Sequence, residues 1–299
     1  MYLQLLRKSK NIVTVVFVQL VTSLSCIGQI SGYSADFTNG TLAIYKTRND
    51  TIIPHGTGFL IYNYKDHDAL IVTCSHLLKN DNVLINLPVT DAFISALRNP
   101  NSAADIKATL QKQFNGDWIF NGRNFLQKVP LIRNKTFYSN DSLDIAMIKW
   151  PLISGAIIIA GDTIPINKLL NVGVSFTKSV TDLPSGVSVY FIGFPFGIGT
   201  YSGYENSGSF SDAVSNPVVR SGILSWHSSN YPNFLIDAFS FGGNSGSPIV
   251  TQVSAFAPKP FLIGMVLGHL DDPGCVNCNS GLARCIDIKS ILQLRDSIK

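Results

Sequence analysis

From Thr41 to Val83, short apolar runs rich in β-branched residues alternate with clusters of Gly, Asn and Asp. Strands joined by turns satisfy that rhythm and helices do not. Leu42-Ala43-Ile44-Tyr45, Gly58-Phe59-Leu60-Ile61-Tyr62 and Ala69-Leu70-Ile71-Val72-Thr73 are three predicted strands, and residues 63–68 form a polar turn between the last two. The pattern returns after Gly186, in Val187-Ser188-Val189-Tyr190-Phe191-Ile192, in the run from Val218 to Trp226, in Phe234-Leu235-Ile236 and in Ile263-Gly264-Met265-Val266-Leu267-Gly268. Residues 88–130 differ: Ala92 to Leu97 and Ala103 to Leu110 have helix-compatible composition and read as an insertion. Ser290 to Ile298 reads as a C-terminal helix, and Pro165 to Pro184 as a link between two β units. Only 14% of the 299 residues are charged, 45% are hydrophobic and 24 are glycine, which excludes a disordered or long-helical chain and fits a strand-rich globule.

Chemistry enters with Phe241-Gly242-Gly243-Asn244-Ser245-Gly246-Ser247-Pro248. Tight glycine turns let a serine hydroxyl stand clear of the backbone and aim neighbouring N–H groups at one spot. A serine hydroxyl is a poor nucleophile at neutral pH. It needs an imidazole to take its proton and a carboxylate to fix that imidazole. His76 follows the apolar run Ala69 to Val72 through Thr73-Cys74-Ser75, and Asp144 opens the run Ile145-Ala146-Met147-Ile148. Taken singly, His76 reads equally as a structural histidine, Asp144 as a strand-start cap and the serine string as an ordinary turn.

The order His…Asp…Ser, with Gly56-Thr57-Gly58-Phe59-Leu60 ahead of it and Gly193-Phe194-Pro195-Phe196-Gly197 within it, resembles the trypsin-like (chymotrypsin-fold) serine peptidases. The nearest likeness is to the bacterial HtrA-type and glutamyl-endopeptidase-like branch, and it spans Phe37 to Ile298. The resemblance implies an all-β fold of two six-stranded antiparallel β-barrels, at 30–164 and 165–299, with the active site between them. It implies His76 as general base, Asp144 as its orienter, Ser245 as nucleophile, and the N–H groups of Gly243 and Ser245 as the oxyanion hole. The substrate would be a protein or peptide, and no cofactor or metal is required for the chemistry. The chain ends at the C-terminal helix, which leaves no room for a PDZ domain.

Three departures from the family pattern matter. Asn244 stands where digestive trypsins carry the aspartate that pairs with a new N-terminus, so charge-paired activation is not expected. Phe239 falls near the pocket floor where trypsins carry an aspartate, which disfavours Lys or Arg selectivity. Val266, Leu267, Gly268 and His269 lie on the strand expected to line the pocket. Val266 replaces the histidine of glutamyl endopeptidases, while His269 either receives an acidic side chain or sits on the rim. Leu267 replaces a serine whose hydroxyl supports the triad aspartate in many relatives, so Asp144 is expected to be less well satisfied.

Residues 1–29 read as a secretion signal: Arg7, Lys8 and Lys10 precede a short apolar run from Ile12 to Leu24 and a small-residue exit. A membrane anchor is the alternative, though the run is short for a spanning helix. Removing this segment lowers the formal net charge from +4 to +1, so no nucleic-acid partner is implied. The expected location is secreted or periplasmic. In that setting Cys275, Cys278 and Cys285 predict one disulfide, with a Cys₃His zinc set including His269 as the alternative. The rival functions are a non-catalytic binding protein on a peptidase scaffold, favoured by Leu267 and by Cys74-Ser75, and an esterase-like or self-cleaving activity of the same site.

Overall fold

A computed structural model describes residues 37–38, 40–48, 51–63, 68–79, 83–86, 91–99, 103–106, 108, 118–121, 124–129, 131–150, 156–159, 162–165, 176–195, 217–251, 260–272, 274 and 279–298. The expected signal segment 1–29, and Cys275 and Cys278, lie outside the described residues.

The first sheet contains β1 (Thr41–Arg48), β2 (Thr51–Asn63), β3 (Asp68–Thr73), β4 (Val83–Asn86), β5 (Trp118–Asn121), β6 (Asn124–Lys128), β7 (Phe137–Asn140) and β8 (Ile145–Trp150). Its spatial order is β5-β6-β4-β1-β2-β3-β8-β7, all antiparallel. The three strands expected between Thr41 and Thr73 are β1, β2 and β3. The insertion holds the helix α1 (Asp91–Arg98), and then the hairpin β5–β6 extends the sheet by pairing with β4. A short hairpin of β9 (Ala156–Ile159) and β10 (Asp162–Pro165) stands apart.

The second sheet contains β11 (Phe176–Thr177), β12 (Ser188–Gly193), β13 (Val218–Ser228), β14 (Tyr231–Asp237), β15 (Pro248–Thr251), β16 (Phe261–Asp271) and β17 (Asn279–Asp287). The order is β11-β16-β15-β12-β13-β14-β17, and β16 also pairs with β17. That last pairing closes a six-stranded barrel, with β11 added parallel to its rim. Closure removes the unpaired edges an open sheet leaves. The all-β architecture of two barrel-like sheets is therefore as expected, but only the second closes. The first has eight strands and stays open among the described residues, because the β5–β6 hairpin extends it outward instead of returning to β7.

The two sheets share apolar packing. Ile71, Val72 and Met147 of the first cluster with Ile192, Val250, Met265 and Leu267 of the second and with Ile291 of the C-terminal helix α2 (Ile288–Ser297). Asp287 caps α2, accepting from Lys289 N at 2.6 Å, and its other oxygen accepts from Ser179 Oγ and Val180 N at 2.8 and 2.9 Å. One buried carboxylate thus ties the segment that enters the second barrel to the helix that leaves it.

Candidate active site

Register assembles the first half of the site. β3 pairs with β8 so that Thr73 lies opposite Ala146. The residues just past the end of β3 must then lie beside those just before β8, although 68 positions separate His76 from Asp144. Ser75-His76 begins a single 3-10 turn (Ser75–Leu78), and Ser75 N donates to Asp144 O at 3.2 Å. Asp144 enters β8 with φ at +56°, a left-handed conformation that aspartate tolerates better than most residues. The twist aims its carboxylate back at the turn. His76 Nδ1 lies 2.7 Å from Asp144 Oδ2, and His76 N donates to Asp144 Oδ1 at 2.9 Å. With a carboxylate accepting at Nδ1, the proton sits there and Nε2 is left as the basic nitrogen.

Asp144 is better held than the sequence led us to expect. Ser75 Oγ donates to its Oδ1 at 3.0 Å, a charge-assisted bond of a kind worth about 1.5–3 kcal/mol. The hydroxyl missing at Leu267 is thereby supplied from the opposite side, by a residue that sequence reading had counted against activity. Partial burial works to raise the Asp144 carboxyl, but the bonds from His76 and Ser75 outweigh it and hold the group below the usual carboxylate range.

The second half is a turn of the closed barrel. Between β14 and β15, Asn244 N donates to Phe241 O at 3.0 Å and Ser247 N to Asn244 O at 2.9 Å. Gly243 and Gly246 have φ of +94° and +88°. At Gly246 a Cβ would also collide with the Thr57 carbonyl, so only glycine fits. β16 runs alongside: Gly246 N donates to Val266 O at 2.8 Å, and Val266 N to Ser247 O at 2.9 Å. Ser245 Oγ donates to Leu267 O at 3.1 Å. Among the described residues it makes no hydrogen bond to His76, and neither Gly243 N–H nor Ser245 N–H has a protein acceptor.

Three contacts between the sheets bring the halves together. Thr57 N of β2 donates to Ser245 O at 2.9 Å, and Thr57 Oγ1 donates to Gly243 O at 2.7 Å. Cys74 Sγ donates to Val266 O at 3.4 Å, the same carbonyl that receives Gly246 N–H. Cys74 Sγ, a His76 nitrogen and an Asp144 oxygen lie within 4.8 Å of one another, a set able in principle to ligate a metal ion. Those atoms already have hydrogen-bond roles. Burial, with the Asp144 charge nearby, pushes the Cys74 thiol well above the usual range, so it remains a protonated donor and not a competing thiolate.

The expected pocket residues fall in mixed surroundings. Phe239 is 53% exposed, stacks on Phe241 at 6.2 Å and lies over Gly281. Val266 is buried in the interior of the closed barrel, and Leu267 in the packing shared by both sheets. Gly268 is paired across from Arg284, with open space where a Cβ would stand. His269 is 39% exposed at the end of β16, and its Nε2 already lies 3.2 Å from Asp271 Oδ1.

Cys285 corrects any disulfide drawn through it, and it lies apart from the His269 of the alternative zinc set. It is a free, fully buried thiol inside the closed barrel, opposite Val266, while His269 lies on the exposed end of β16 opposite Ala283. The pairing of β16 with β17 shifts register between Val266 and Gly268 and again between His269 and Asp271, so the two side chains meet different surroundings. Burial pushes the Cys285 thiol well above its usual range, which suits a core residue and not a ligand. Thr57, Ser75 and Thr73 are the polar residues that sequence reading missed as parts of the site. The only signal for them was a hydroxyl flanked by glycines at Thr57 and one beside the histidine at Ser75.

The profile of the family described as a trypsin-like peptidase domain matches residues 56–255, about two thirds of the chain, including both halves of the site. No curated protein matches the chain to a significant degree.

Proposed function

We propose that this chain, which belongs to the trypsin-like peptidase domain family, is a serine endopeptidase using His76, Asp144 and Ser245. The family implies protein or peptide substrates. The observation that carries the serine-triad assignment is the 2.7 Å contact between His76 Nδ1 and Asp144 Oδ2, with two N–H groups flanking Asn244 on the adjoining turn that have no acceptor among the described residues. Ser245 Oγ attacks the scissile carbonyl carbon as its proton passes to His76 Nε2. The carbonyl oxygen becomes an oxyanion held by the N–H groups of Gly243 and Ser245. His76 then gives that proton to the leaving amine, and water, activated by the same imidazole, hydrolyses the acyl-serine.

The attack requires Ser245 Oγ to leave Leu267 O, a rotation about one side-chain bond. Hydrogen bonds of a catalytic site are commonly looser before substrate arrives. The buried, protonated Cys74 supports serine over cysteine as the nucleophile. The five motifs in order, from Gly56-Thr57-Gly58 to the Gly-Asn-Ser-Gly-Ser-Pro string, support a likeness to the bacterial HtrA-type and glutamyl-endopeptidase-like branch, and residues 1–29 fit export to a secreted or periplasmic site. Among the described residues no helix is long and apolar enough to cross a membrane.

A second reading has one observation in its favour. Ser245 bonded to Leu267 O, away from His76, is also the arrangement of a peptide-binding protein with little activity. Incubating residues 30–299 with denatured casein separates the two. New internal peptides that vanish with Ser245→Ala support the endopeptidase. Retained substrate binding without cleavage, equal in both proteins, supports the binding protein.

A further inference from the structure

We propose that Thr57 is the positioning residue that holds the oxyanion-binding turn in its working shape, through its side-chain hydroxyl. This extends the serine-endopeptidase reading and rests on it.

Thr57 lies in the first sheet, is fully buried, and has every polar group committed. Its N–H donates to Ser245 O at 2.9 Å, and its carbonyl accepts from Thr73 Oγ1 at 2.7 Å. Its hydroxyl accepts from Phe194 N at 3.1 Å and donates to Gly243 O at 2.7 Å. A hydroxyl has one proton. With Phe194 N–H occupying an acceptor site, that proton is directed to Gly243 O.

The consequence falls on the peptide planes around the nucleophile. The plane joining Gly243 to Asn244 is pinned at both ends, its carbonyl by Thr57 Oγ1 and its N–H by Phe241 O. The plane joining Ser245 to Gly246 is likewise pinned, its carbonyl by Thr57 N and its N–H by Val266 O. Between and beside these fixed planes lie the N–H groups of Gly243 and Ser245, which have no acceptor among the described residues. Rotation of the Gly243–Asn244 plane would turn a carbonyl toward the position where those donors must act. The left-handed glycine at Gly243 leaves that rotation sterically open. Thr57 Oγ1 opposes it at the carbonyl, and Phe241 O at the N–H. Thr73, the last residue of β3 and three before His76, fixes the Thr57 carbonyl in turn. The clamp therefore references the oxyanion donors to the strand that delivers the general base.

The test compares Thr57→Val, which keeps shape and the backbone N–H but removes the hydroxyl, with Thr57→Ser, which keeps the hydroxyl and removes a methyl. Each is measured for kcat and KM on one peptide substrate, and for affinity toward a peptide aldehyde and its alcohol counterpart. The aldehyde forms an oxyanion on the serine, whereas the alcohol only occupies the subsites. Thr57→Val should lower kcat by about 10²-fold with KM unchanged, the scale expected when reacting groups are misplaced by about 1 Å. It should weaken the aldehyde by a similar factor and leave the alcohol alone, and Thr57→Ser should restore most of the loss.

Equal losses in both variants, a loss confined to KM, or parallel weakening of aldehyde and alcohol would overturn the proposal. If Thr57→Val does not fold, Thr73→Val must produce a smaller loss of the same kcat-selective kind, and an unchanged kcat there overturns it. Should the parent chain itself show no activity, the peptidase reading falls. Amide exchange of residues 241–247 then decides the clamp: faster in Thr57→Val and normal in Thr57→Ser upholds it, and identical exchange in all three refutes it.

Discussion

His76 and Asp144 sit at the ends of adjacent strands of one sheet and are joined at 2.7 and 2.9 Å, whereas Ser245 belongs to the other sheet and donates its hydroxyl to Leu267 O. The proposed base and its orienter are joined before any substrate arrives, since ordinary antiparallel register places them. The proposed nucleophile is placed differently. Its backbone is clamped on both sides, by Thr57 from the first sheet and by Val266 from the second, while its hydroxyl stays on a resting partner. An imidazole must be held in one tautomer to be useful, and a serine must move a proton, so rigidity suits the first and rotational freedom the second.

The sharpest way to break the comparison is to remove the moving part. Ser245→Ala should lower kcat by about 10⁶ while substrate binding and thermal stability stay near those of the parent, checked by steady-state kinetics and thermal unfolding. A residual rate within tenfold of the parent would show that another group is the nucleophile. Asp144→Asn leaves the shape but lets the wrong His76 tautomer form, and should cost about 10⁴ in kcat. A small loss there would mean that the preassembled half does not govern the rate.

Ser75→Ala probes the support that replaces the missing serine at Leu267. Its loss should be near 10-fold in kcat at neutral pH, about one charge-assisted hydrogen bond at the low end of its range. The larger sign is a carboxyl that protonates at higher pH, since one of the bonds holding Asp144 below its usual range is gone. The Asp144 carboxyl, followed by carbon-13 NMR, should titrate at higher pH in Ser75→Ala than in the parent, and an unmoved titration would remove Ser75 from the site.

The smallest effect concerns stability. Burial, with Lys46 and His76 nearby, pushes His55 from 6.5 down to about 4. Between those values the unfolded chain binds a proton that the folded chain refuses. The stability is then complete above pH 6.5 and is lost as pH falls toward 4. Asp144 acts in the same direction at lower pH, since its depressed carboxyl stabilises the folded state until the pH falls through its folded value. Thermal unfolding at pH 7, 5.5 and 4.5 should show the decline, and His55→Gln should flatten its upper part. Equal slopes in both proteins would assign the decline elsewhere.

Much of this was legible from sequence, in a particular way. Glycines around Ser245, an apolar run ending at His76 and another beginning at Asp144 are local signals, because each residue's role depends on the strand end it occupies. Thr57 and Ser75 gave no such signal. Their roles depend on which carbonyl or carboxylate a distant strand brings within 3 Å, and register is not written in either segment alone. Cys285 shows the reverse error. Its proximity in sequence to Cys275 and Cys278 made it a candidate for a disulfide, but alternation along β17 puts it, as a free thiol, in the barrel interior. The open first sheet was hidden because the β5–β6 hairpin lies in a segment whose composition favoured helix, and helix α1 does form there.

The most direct test of a serine activated by a preassembled base is a fluorophosphonate probe, with the adduct mapped by mass spectrometry in the parent chain, Ser245→Ala and Asp144→Asn. Stoichiometric labelling at Ser245, absent in the first variant and greatly slowed in the second, is the predicted result. A folded parent chain that takes no label, or one labelled at the same rate when Asp144 is changed, would contradict it.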